Sequence, residues 1–134
     1  MKTIIAKNTQ SRGALNNFEC HVLLPILTKA LKIKKGKENA VTYQQIVNAL
    51  SQHKVKANRK SIERVIKHIR MNGLIKGLLG SYNGYYVANS KEELMAYEEI
   101  LLNRELALRN LRFCMQKQRT TLFTETIPKH TQLF

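Results

Sequence analysis

The sequence predicts a mainly α-helical domain with one small β-hairpin, followed by a long C-terminal helix. Apolar residues recur at helical spacing in three stretches before residue 72. The period then changes across "LIKGLLGSYNGYYVA", where two apolar runs flank an Asn-Gly pair. Residues 91–118 run on without Gly or Pro, as one continuous helix would. At 134 residues, 43% hydrophobic and 24% charged, the chain fits one domain with appendages around a packed core.

The elements follow in order. Residues 1–17 are polar with three basic side chains and read as a flexible basic arm, with a short strand at 3–6. In "FECHVLLPILTKALKI", Leu23, Leu24, Leu27, Ala30 and Leu31 keep helical spacing. Pro25 cannot lie deep in a helix, which places the helix start a few residues before it. "KKGKEN" breaks the pattern. In "AVTYQQIVNALSQ", Ala40 and Val41 form a very short strand, Thr42 and Gln45 are spaced as a capping box, and Ile46, Val47 and Leu50 make an apolar face. "HKVKA" is a turn.

"NRKSIERVIKHIRMNG" is the third helix, capped by Asn58 or Ser61 and stopped at Gly73. In the hairpin, Asn83 suits a turn because Asn tolerates positive φ, and Tyr85, Tyr86 and Val87 favour strand. Ser90 and Glu93 open the long helix, which is expected to end near Gln118. Residues 119–134 are Thr-rich, contain Pro128 and read as a loose tail. Its terminal "TQLF" resembles the peptide that bacterial sliding clamps bind, with His130 where that peptide has Gln; aromatic tails more commonly dock on their own domain.

Net charge is +14 and pI about 10.1, a balance that points first to nucleic acid. The charge is concentrated. Residues 29–76 hold 13 Lys or Arg against Glu38 and Glu63, whereas residues 91–118 hold five of each sign. Along the third helix, at about 100° per residue, Ile62, Val65, Ile66 and Ile69 gather on one core-facing arc. The opposite face carries Lys60, Arg64, Lys67 and Met71, with Ser61, Glu63 and His68 on the flanks and Arg59 at the N-terminus. Arg can pair bidentately with guanine, and Lys serves as a point charge for phosphate. A solvated helix with Glu63 paired to Lys67 is the plainer alternative for any single residue.

The order of helix, short strand, helix, turn, helix and hairpin over residues 18–90 resembles the small winged helix-turn-helix DNA-binding proteins of bacteriophages and mobile elements. The resemblance is carried by "VTYQQIVNAL", "NRKSIERVIKHIRMNGLIKG" and "LLGSYNGYYVA". It implies a third helix in the major groove and a hairpin wing on the backbone or minor groove of double-stranded DNA. The expected DNA-binding set is Arg59, Lys60, Ser61, Arg64, Lys67 and His68 on the helix, Lys54 and Lys56 in the turn, and Lys76, Tyr82 and Asn83 at the wing. Lys34, Lys35 and Lys37 could add phosphate contacts. The implied role is transcription regulation or accessory DNA binding. The fold also hosts protein-protein adaptors, so that alternative stays open. RNA binding lacks support without an aromatic platform on a sheet.

The long helix carries two apolar stripes. One contains Leu94, Tyr97, Ile100, Leu101, Leu108, Leu111 and Met115; the other contains Met95, Leu102, Leu106 and Phe113. Two stripes imply a helix sandwiched between its own domain on one side and a partner on the other, and thus a homodimer through Leu94, Met95, Leu101, Leu102, Leu106, Leu108, Phe113 and Met115. Glu92, Glu93, Glu98 and Glu99 come early and Arg104, Arg109, Arg112 and Lys117 late, which suits both the helix dipole and an antiparallel pair.

No catalysis, metal, cofactor or small-molecule ligand is expected. There is no Walker loop, no Asp, and no His/Cys/carboxylate set at ligand spacing among His21, His53, His68 and His130. Cys20 and Cys114 are too few and too far apart for a disulfide framework and are expected reduced and partly buried, in the cytoplasm. No signal peptide is expected, and no apolar run approaches the ~18 residues of a membrane span.

Overall fold

A computed structural model describes residues 14–124 of the chain. It is mainly helical, with four α-helices and one two-stranded antiparallel hairpin among the described residues. The helices are α1 (Leu24–Leu31), α2 (Tyr43–Gln52), α3 (Arg59–Met71) and α4 (Lys91–Thr124), and the strands are β1 (Leu78–Ser81) and β2 (Gly84–Val87). The chain divides into two units at Leu94 and Met95. The expected strand at 3–6 and the terminal "TQLF" with His130 lie outside the described residues.

The first helical stretch begins earlier than Pro25 led us to expect. The backbone is already helical at Asn17, and a π-helical turn, Glu19–Leu23, leads into α1. Asn16 and Glu19 form a reciprocal cap: Asn16 Oδ1 accepts from Glu19 N at 2.8 Å, and a Glu19 carboxylate oxygen accepts from Asn16 N at 3.1 Å. The wide π turn lies just ahead of Pro25 and includes His21, whose carbonyl the pyrrolidine ring would crowd in a regular helix. Asn16 and Asn17, expected in the arm over residues 1–17, belong instead to this helix start, and residues 1–13 lie outside the described residues.

In α2, Thr42 Oγ1 accepts from Gln45 N, and Gln45 Oε1 accepts from Thr42 N, as the capping box predicts. In α3, Asn58 rather than Ser61 is the cap, its Oδ1 accepting from Ser61 N at 2.8 Å. Gly73, at φ 63, ends α3 with Leu74 N donating to the Ile69 carbonyl.

Ile62, Val65, Ile66 and Ile69 are all buried against Leu23, Leu27 and Leu31 of the first helix, Ile46 and Leu50 of α2, and Ile75, Leu78 and Val87. Each such side chain contributes roughly 1.5–3 kcal/mol by leaving water, so four in one stripe fix how α3 faces the domain.

The hairpin pairs Leu78 with Val87, Leu79 with Tyr86, Gly80 with Tyr85 and Ser81 with Gly84. Tyr82 and Asn83 form its turn, and neither takes positive φ; Gly84 does, at 115°. The Asn-Gly signal therefore marks the right turn one position off. A Cβ on Gly84 would also lie 2.4 Å from the Val41 carbonyl oxygen, so both backbone angle and space require glycine. The short strand at 40–41 reduces to one bridge, Val41 and Tyr85 exchanging hydrogen bonds at 2.9 and 2.8 Å. That bridge pins the outer edge of β2 to the start of α2.

Helix α4 spans 34 residues, about 50 Å at helical rise, and runs through Thr120–Phe123 rather than ending near Gln118. No Gly or Pro stands between Gln118 and Thr124 to stop it. No residue of α4 is buried. No helix among the described residues is long and apolar enough to cross a membrane.

Candidate nucleic-acid interface

The N-terminus of α3 is tied to both neighbouring elements. The Arg59 guanidinium lies 4.5 Å from the centre of the Tyr43 ring, and its Nε sits 3.6 Å from Glu63. Glu63 thus pairs backward with Arg59, not forward with Lys67. Tyr43 meets Tyr85 of β2 edge-on, with centroids 5.4 Å apart and hydroxyls at 2.5 Å. Burial, then the bond to Tyr85, pushes the Tyr43 hydroxyl well above the ordinary tyrosine value and keeps it neutral. The hairpin, α2 and α3 are thereby joined through three side chains, leaving Arg59 exposed but stacked.

Arg64 is held differently. Its Nη2 donates to Glu19 at 2.7 Å and its Nε at 3.0 Å. The Glu19 side chain is 0% exposed, whereas Arg64 keeps 40%. The Arg64 guanidinium holds the Glu19 carboxyl below the usual carboxylate range, against the opposing pull of burial, with help from Asn16 N and the Ser61 side chain. Ser61, expected on the DNA-facing flank, is instead buried beside this pair. The cause is the early start of the first helix, whose π turn covers that flank of α3.

Lys60, Lys67 and Met71 remain exposed on the outward face. His68 is half-buried, and its carbonyl accepts from Asn72 N and Nδ2. Lys54 and Lys56 are exposed in the turn between α2 and α3. Lys54 is the one non-glycine among the described residues with positive φ, at 60°. It closes α2 where glycine is usual: Lys54 N donates to the Ser51 carbonyl and Val55 N to the Leu50 carbonyl, both at 2.9 Å. Beyond α3, Lys76 and Asn83 are exposed, and Tyr82 at the hairpin tip is 101% exposed. Among the described residues, none of Lys54, Lys56, Lys60, Lys67 and Lys76 forms a salt bridge.

Of the expected set, Arg59, Lys60 and Lys67 share the exposed side of α3; Lys54, Lys56, Lys76, Tyr82 and Asn83 are exposed on the flanking turn and hairpin; Arg64 is tethered and Ser61 buried. Sequence reasoning missed Glu19 and Asn16, although the Asn-x-x-Glu spacing in "NNFE" is itself a capping signal.

Two further features are apolar. An apolar groove of about 550 Å³ between α1 and α2, lined by Ile26, Ala30, Ile33, Val41, Ala49 and His53 among others, includes no residue of α3 or the hairpin. On α4, Met95, Ile100, Leu101, Leu102, Leu106, Leu108, Phe113 and Met115 are exposed, and Leu94 is intermediate. Both cysteines are exposed rather than partly buried. Among the described residues no group of three or more His, Cys, Asp or Glu could hold a metal ion. No protein-family model, curated protein or solved structure matches the chain.

Proposed function

We propose that the chain binds double-stranded DNA as a winged helix-turn-helix protein, with α3 in the major groove and the β1–β2 hairpin as the wing. It would serve in the cytoplasm as a transcriptional regulator or accessory DNA-binding factor rather than as an enzyme. The observation that carries this is the outward surface of α3. Lys60 and Lys67 stand exposed without ionic partners among the described residues, preceded in the chain by exposed Lys54 and Lys56 and followed by exposed Lys76 and Tyr82. Such charge neutralises phosphates, and α3 has about the diameter the major groove admits. Lys54 adds support: a lysine held at positive φ, where glycine costs less, is a local strain consistent with a use for its charge.

We also infer that α4 pairs with α4 of a second copy. Its exposed Leu, Ile, Met and Phe side chains form no part of the domain core, and its Glu-rich start and Arg-rich end match when two helices run antiparallel. Two copies would present two α3 helices to one duplex.

Binding to mixed-sequence duplex DNA, titrated against salt, tests the function. DNA binding requires affinity that falls steeply as salt rises. The adaptor alternative draws on the apolar groove between α1 and α2, and it predicts little or no duplex affinity at any salt.

A further inference from the structure

We propose that Glu19 is a positioning residue that presets Arg64 as a fork for one guanine edge in the major groove. The inference deepens the duplex-DNA function proposed above and rests on it.

Arg64 stands between Lys60 and Lys67 along α3. The Glu19 carboxylate accepts from its Nε and from one Nη2 hydrogen. Nη1 makes no hydrogen bond among the described residues, and 40% of the side chain is open to solvent. The free donors are therefore the Nη1 pair and the second Nη2 hydrogen. Two parallel donors of that kind are what guanine O6 and N7 accept.

Restraint strengthens the case. An arginine that is free on a helix surface loses rotamer freedom when it docks, whereas one already gripped by a carboxylate has lost that freedom before DNA arrives. Glu19 is itself fixed, by Asn16 N and the Ser61 side chain, on the first turn of a capped helix.

Charge selects the target. A guanidinium paired with a buried carboxylate brings little net charge toward phosphate, but its remaining hydrogen bonds keep their direction. Arg64 is thus better suited to a base edge, while the unpaired Lys60 and Lys67 are suited to phosphates.

The test enriches duplexes from a random library with the full chain, then compares wild type with Arg64→Lys and with the double variant Glu19→Gln/Arg64→Gln, each first shown folded by circular dichroism. Arg64→Lys keeps a cation for Glu19 but not the fork, and the double variant removes both charges while leaving polar side chains at both positions. Wild type is expected to require one guanine whose replacement weakens binding ~10-fold or more. Both variants should lose that preference while keeping the salt dependence of wild type. Glu19→Gln alone should weaken the preference without abolishing it. Retention of the guanine preference in folded Arg64→Lys would overturn the proposal. So would a uniform loss of affinity across all sequences, or a wild type that binds every duplex alike. If wild type shows no salt-dependent duplex binding, DNA binding itself fails, a result read before any variant is made.

Discussion

Glu19 and Arg64 stand 45 positions apart in the chain, yet Arg64 Nη2 lies 2.7 Å from Glu19 Oε2. This contact joins the first turn of the first helix to the middle of α3. A carboxylate with no solvent exposure is tolerable there because a cation and two further donors compensate its lost hydration.

The two halves of the pair differ in what their loss leaves behind. Arg64→Ala strands a buried carboxylate, whereas Glu19→Gln leaves a guanidinium that can reach water. Arg64→Ala should destabilise the domain by roughly 2–4 kcal/mol, somewhat below a fully enclosed pair because Arg64 is partly solvated, and Glu19→Gln by less. Urea midpoints of the two variants check the order.

The same pair predicts an acid response. The folded carboxyl of Glu19 titrates below its unfolded value, near ~4.3, so its stabilisation is fully present above that value. It is lost as pH falls through the lowered folded value. Over the acid range below that unfolded value, wild type should lose stability toward Glu19→Gln, so that their melting temperatures converge. A gap that stays constant over that range would contradict the assignment.

Two backbone positions predict opposite signs. Gly84→Ala forces a side chain into positive φ and against the Val41 carbonyl, and should destabilise by roughly 1–3 kcal/mol. Lys54→Gly relieves positive φ at the end of α2 and should stabilise by up to ~1 kcal/mol. If Lys54 meets phosphate, the stabilised variant should nevertheless bind DNA more weakly. Thermal melts and duplex titrations on the same samples separate the two effects.

Lys60→Ala and Lys67→Ala should each reduce the dependence of log affinity on log salt by about one unit, with little change in sequence preference. Both side chains are exposed and outside the core, so melting should barely move. An unaltered salt slope in both variants would remove α3 from the interface.

For α4, Leu101→Glu with Leu108→Glu should abolish self-association at micromolar concentration while leaving the melting of residues 14–94 intact. Neither leucine belongs to the domain core. Sedimentation of wild type as only a 15.5 kDa species would exclude the pair at that concentration.

Local chemistry made much of this chain legible. The Ile62–Val65–Ile66–Ile69 stripe determined which way α3 faces, because helical periodicity alone decides that geometry. Thr42 with Gln45, Ser90, Gly73 and Asn-Gly marked element ends, because caps and turns are satisfied within a few residues. The concentration of positive charge in residues 29–76 was also there to be counted.

What the tertiary structure decided lies where long-range contacts override local signals. Pro25 argued for a late helix start, but a π turn and the Asn16–Glu19 cap carry the helix past it. That extra turn buries Ser61 and brings Glu19 to Arg64, converting one of three outward cations into half of an ion pair. Periodicity gives the direction in which a side chain leaves its helix, but not which charge from a distant segment meets it there. Burial of a carboxylate demands a partner, and only packing of the first helix on α3 chose Arg64.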